Sequence, residues 1–134
     1  SGLESLHNIL YWQGGDYIGI GPGAHGRLTL GGRRIATQTA LAPTAWLDRV
    51  SLRSSGTVKS EVLSKTSHAN ELIMMGLRLQ GGISRSRVEA IADQPLLIPK
   101  HLIELGLIEL NNDEVRATDS GRPLLNQLVE AVMF

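Results

Sequence analysis

Four histidines, no cysteine and one dense glycine loop carry whatever chemistry this 134-residue chain can do. His7, His25, His68 and His101 are dispersed, and none stands three or four residues from another, so no helical zinc pair is written into the sequence. The absence of cysteine excludes a thiol nucleophile, a disulfide scaffold and thiolate-held clusters within these residues. No G-x-S-x-G elbow is present, which argues against hydrolase chemistry. Met74-Met75 lies in a helical apolar pattern and reads as core filling rather than as a sulfur ligand. The candidate that remains is His25, set inside Gly21-Pro22-Gly23-Ala24-His25-Gly26.

That hexapeptide matches the dinucleotide fingerprint G-x-G-x-x-G letter for letter. The fingerprint needs a helix opening directly after the loop, because the helix N-terminus holds the pyrophosphate. Here Arg27–Leu30, Gly31-Gly32 and Arg33–Ile35 follow, which predicts a hairpin about a Gly-Gly turn. A nucleotide fold is therefore set aside. A loop of this kind can still present main-chain groups to a ligand, since glycine lets another group approach without a Cβ in the way. The alternative is a glycine-rich turn with no ligand.

The wider stretch N-I-L-Y-W-Q-G-G-D-Y-I-G-I-G-P-G-A-H-G, Asn8–Gly26, resembles a segment of the oxygen-independent coproporphyrinogen III oxidase family of radical S-adenosylmethionine proteins. It is most similar to the haem-chaperone-like branch, in which His7-Asn8, Tyr11-Trp12 and Gly23–Gly26 have counterparts. Weaker similarity continues through Met75–Leu79, Leu105–Leu107 and Thr118–Asn126. The resemblance implies a cofactor-binding role for Gly21, Gly23, Ala24 and His25, at a cleft close to S-adenosylmethionine. It also implies an iron–sulfur cluster held by three cysteines spaced Cys-x3-Cys-x2-Cys in an N-terminal barrel. Those cysteines are not among these residues, so the expectation is a C-terminal piece of a longer protein, inactive in radical chemistry by itself. The parent would use a tetrapyrrole substrate or handle haem.

Organisation follows from pattern. The hydrophobic share of 42% is ordinary for a globular chain, no apolar run is long enough to span a bilayer, and no secretory signal is evident; a cytoplasmic location is expected. Net charge is zero, but residues 1–65 carry seven Lys/Arg against four Asp/Glu, and residues 66–134 six against nine. Leu3–Trp12 fits a short helix or an extended lead-in, and the extended reading is preferred because Tyr11-Trp12 before Gly14-Gly15 resembles a strand end; Asp16–Ile20 is read as a short strand. Arg27–Leu30 and Arg33–Thr39 form the hairpin, and Ala42–Arg53 a helix with Pro43 in its first turn, stopped by Ser54-Ser55-Gly56. Residues 57–64 read as strand or coil.

From Ser67 the apolar spacing becomes three and four, predicting a helix ended by Gly81-Gly82. Ser84 caps a second helix and Pro99–Leu105 makes a third. Leu107–Leu110 and Glu114–Thr118 pair about Asn111-Asn112-Asp113, and a closing helix starts at Thr118 or Asp119. The fold class predicted is α+β. Residues 66–134 form a winged-helix-like C-terminal domain of three helices, a two-stranded wing and a closing helix. It follows a helix and linker at 41–65 and, at 1–40, a β-hairpin remnant of a truncated radical S-adenosylmethionine barrel. With its barrel partners missing, the edge at Asp16–Ile20 would leave residues 1–40 loosely held or self-associating. A winged helix also raises nucleic-acid binding as an alternative. The third helix offers only Lys100 and His101 beside Glu104, and the wing tip is acidic, so a covering or protein-interaction role is preferred.

Overall fold

The computed structural model describes residues 6–134, and the chain packs as two compact units. One is Gly15–Ser64. The other joins the residues up to Gly14 with Lys65–Phe134.

The Gly15–Ser64 unit is built on strands β1 (His25–Leu30) and β2 (Arg33–Thr39), paired from His25↔Gln38 to Leu30↔Arg33. Gly31 and Gly32 both have positive φ, 55° and 74°, as the two-residue hairpin turn that matches strand twist requires. Helix α2 (Pro43–Arg53) has proline at its start and ends at Ser54, whose N–H donates to Val50 O. None of its residues is buried. Strand β3 (Thr57–Val62) then pairs antiparallel with β2, giving the order β1-β2-β3. The weak alternation of residues 57–64 thus resolves as strand. Its faint signal has a cause: five of the six residues are exposed, so burial imposes little periodicity.

Asp16–Ile20 is not a strand. Only Tyr17 bridges β1, exchanging both backbone hydrogen bonds with Arg27 at 2.8 and 2.9 Å. Positive φ at Gly21 (97°) and Gly23 (68°) swings the chain round before a longer ladder can form. Nor is the lead-in extended. Leu6–Trp12 forms helix α1 and packs against α3 (Lys65–Gly76). Gly14, at φ 70°, is a left-handed residue closing that helix, so Tyr11-Trp12 ends a helix rather than a strand. The part of the lead-in before Leu6, and the side chain of His7, lie outside the described residues.

In the second unit α3 presents Ala69, Leu72, Ile73 and Gly76 inward at three- and four-residue spacing. The helix stops at Gly76 rather than at Gly81-Gly82, its last turn tightening through Leu79 N–H to Gly76 O. Strand β4 (Ile83–Ser84) leads into α4 (Arg85–Ala92), with the Ser84 hydroxyl accepting from Arg87 N as predicted. Helix α5 (Lys100–Glu104), strands β5 (Ile108–Asn111) and β6 (Glu114–Ala117), a short 3-10 turn at Arg122–Leu124 and helix α6 (Leu125–Val132) complete it. The sheet has three strands, not two: β4 adds to the hairpin in the order β4-β6-β5. Ile73, Leu77, Leu96, Ile108, Val115 and Leu128 are almost fully enclosed at its centre. Over the described residues the chain is therefore α+β, with two small antiparallel sheets.

Candidate functional site

Gly21, Gly23, Ala24 and His25 run from the turn into the first residue of β1. Thr39, buried at the end of β2, holds them. Its hydroxyl donates to Gly21 O at 2.6 Å and accepts from Ala24 N at 2.8 Å. The Thr39 N–H donates to Ala24 O at 2.9 Å, and Gly23 N–H donates to Ala40 O at 2.8 Å. Two of the loop's main-chain donors are therefore turned inward. What the loop offers outward is different. A Cβ placed on Gly21 would meet no atom within 4 Å, so that backbone stands open. The adjoining His25 side is exposed.

A second fixture sits at the approach to the loop. Arg34, 5% exposed, donates from Nη1 to Asp16 Oδ1 at 2.5 Å and from Nη2 to Gly15 O at 2.9 Å. Asp16 also accepts from Thr29 N and from the Thr29 hydroxyl, each at 2.8 Å. The Thr29 N–H is the largest influence and lowers the Asp16 carboxyl below the usual aspartate value; burial opposes it, and the Thr29 hydroxyl and Arg34 guanidinium add to the lowering. Sequence reading missed both fixtures, because Thr39 and Arg34 lie 18 residues from their partners Gly21 and Asp16.

His25 opens onto a shallow cavity of about 220 Å³ lined also by Arg27, Ala36, Gln38, Lys59 and Glu61. The sheet register explains the assembly. His25 lies opposite Gln38 and Gln38 opposite Lys59, while Arg27 lies opposite Ala36 and Ala36 opposite Glu61. Small Ala36 makes the floor between an arginine and a glutamate. These groups suit the holding of a polar ligand. Among the described residues no three of His, Cys, Asp and Glu converge as a metal site.

The other unit holds a larger cavity of about 390 Å³. Ile9, Trp12, Leu72, Leu79 and Ile83 wall it, with Gln13 and Arg87 at its polar side, and Arg87 Nη1 donates to Gln13 O at 3.1 Å. Reading Leu3–Trp12 as extended concealed it. Spacing of Ile9 and Trp12 three apart was the available signal. His101 is exposed on α5, and His68 is half-buried on α3. No helix among the described residues is long and apolar enough to cross a membrane.

Residues 63–124 match the HemN C-terminal domain family. Radical S-adenosyl methionine domain-containing protein 1 of Bos taurus mitochondria is 33% identical over 99% of this chain and 33% of its own length. The heme chaperone HemW of Bacillus subtilis is 30% identical over 99% of this chain and 35% of its own. The solved coproporphyrinogen III oxidase HemN of Escherichia coli superposes with a TM-score of 0.62 over 89% of this chain and 28% of its own, at 16% identity, which speaks to fold. The chain spans about a third of the length of the curated relatives it matches. The chain is thus homologous to HemW and to radical S-adenosyl methionine domain-containing protein 1, and its residues 63–124 match the HemN C-terminal domain family.

Proposed function

We propose that this chain acts as the C-terminal part of a radical S-adenosylmethionine protein in haem or porphyrin handling, with the Gly21–His25 loop on the cofactor cleft. One observation carries the reading: Gly21 is open to close approach beside the exposed His25, on a loop pinned from behind by Thr39. The relatives named as radical S-adenosyl methionine proteins and heme chaperones supply the cofactor and ligand classes. S-adenosylmethionine, when bound with a reduced cluster, supplies radical initiation. This chain has no cysteine to ligate that cluster. Its own contribution is shape and polarity. Gly21 and Gly23 would admit the cofactor close to the backbone, and Ala24 and His25 would border it. Because Gly23 N–H and Ala24 N–H are engaged by Ala40 O and Thr39 Oγ1, the polar contact rests on the His25 ring.

The second unit fits a winged-helix-like covering or interaction domain. Its helix order and β5–β6 hairpin support that reading, and its excess of acids over bases disfavours a nucleic-acid role. The test is His25→Ala in the full-length protein. Affinities for S-adenosylmethionine and haem should fall, while thermal unfolding of the C-terminal domain stays unchanged. Unaltered affinities for both would make His25 an ordinary loop residue and remove the reading.

A further inference from the structure

Strand β3 is the outermost strand of its sheet, and among the described residues no strand pairs with its outer side. Leu63 N–H donates to Arg34 O, so with the alternation of an antiparallel ladder the backbone groups of Ser60 and Val62 point away from β2. Residues 58–62 are all exposed. Edges of this kind invite a further strand unless something blocks them.

The sequence of this edge is self-complementary. Laid antiparallel to itself about Ser60, the strand sets Ser60 against Ser60, Val58 against Val62 and Lys59 against Glu61. Ser60 and the Val58/Val62 pairs would then exchange the outward backbone hydrogen bonds. The two Lys59/Glu61 pairs fall at the non-hydrogen-bonded positions, where Cα atoms come within about 4.5 Å and side chains are nearest. In the single chain Lys59 Nζ already meets Glu61 Oε2 at 2.7 Å, both on the His25 face of the sheet. Like charges would blunt the edge, but an alternating cation and anion become an attractive register when the strand meets its own copy. The register shift between Gln38 and Thr39 disturbs β3 only at its start, near Thr57 and Val58.

From this we infer that β3 is a homodimerisation edge, joining two three-stranded sheets into one across a two-fold axis at Ser60. It goes beyond the cofactor-cleft reading and does not depend on it. The contact area is small, so association is weak and its charge pairs, 67% and 51% exposed in the single chain, are salt-sensitive.

Sedimentation velocity of the 134-residue chain, from about 5 to about 500 µM, reads the equilibrium. Dimer should accumulate with concentration and recede at high salt. Lys59→Glu alone, or Glu61→Lys alone, sets like charges opposite and should raise the dimer Kd about tenfold. The double variant K59E/E61K should restore it. An equimolar mixture of the two single variants should form a heterodimer that neither forms with itself. A monomer at every concentration overturns the proposal. So does a dimer indifferent to the single substitutions, and so does assembly only with another protein's strand.

Discussion

The Thr39 hydroxyl spans the glycine loop, donating to Gly21 O and accepting from Ala24 N within 2.8 Å. One buried side chain thus fixes both ends of the turn that precedes β1. Thr39→Val keeps the volume but leaves both backbone groups without their partner, at a cost of about 1–3 kcal/mol. Urea denaturation should show that loss, and hydrogen exchange at the Ala24 amide should accelerate. Thr39→Ser should retain most of the wild-type protection. Equal protection in the valine variant would mean the loop is held elsewhere.

Asp16 gives a pH-dependent counterpart. Thr29 N–H above all, with the Thr29 hydroxyl and Arg34, lowers its folded-state pKa. A lowered carboxylate contributes stability that is present above the unfolded value of about 4 and is lost as pH falls through the folded one. Asp16→Asn should therefore be less stable than wild type at neutral pH and converge with it in acid. Glu61, Glu89, Asp93 and Asp113 are lowered too, so the difference between the two proteins, not either slope alone, isolates Asp16. A constant gap between their urea midpoints from pH 7 to pH 3 would contradict the assignment.

What could be read from the sequence was local. Gly31-Gly32 specifies its hairpin by backbone conformation alone, and Ser84 announces α4 because a cap acts within three residues. Leu6–Trp12 escaped because its helix is stabilised by packing against α3, more than fifty residues later. The tip of the β5–β6 hairpin is a similar case. Asp113 reads as a solvent-facing acid, yet its carboxylate accepts from the Ser84 and Ser86 hydroxyls and from Ser86 N, capping α4 from across the fold. Among the candidate residues, Gly21–His25 were visible as a contiguous loop. Arg27, Lys59 and Glu61 were not, since only the register of three strands brings them together.

Packing between α3 and β4 makes a steric prediction. A Cβ on Gly76 would lie 2.1 Å from Ile83 Cγ2. Helix propensity favours alanine over glycine by up to about 1 kcal/mol. Overpacking of a closed site costs about 1–3 kcal/mol, so the clash should win. Gly76→Ala should lower the unfolding free energy. Combining it with Ile83→Ala should cost less than the sum of the two single changes, because each relieves the other. Strict additivity would show that α3 shifts away from β4 to accommodate the methyl group.

The last prediction concerns nucleic acid. A reading helix needs basic, hydrogen-bonding side chains, and phosphate neutralisation dominates affinity. Helix α5 offers Lys100 and His101 but also Glu104, with Ile103 37% exposed between them. The hairpin that would flank the duplex carries Asn111, Asn112, Asp113 and Glu114 at its turn, and Asp113 is committed to Ser84 and Ser86. Across residues 66–134 six Lys/Arg face nine Asp/Glu, so counterion release on contact with a duplex is small. Fluorescence anisotropy with a random-sequence duplex should therefore show no binding at about 150 mM salt and micromolar protein. Replacing Glu104 and Glu114 with lysine should create weak, salt-sensitive retention without sequence preference. Sequence-specific binding by the unaltered chain would reverse the interaction-domain reading of this unit.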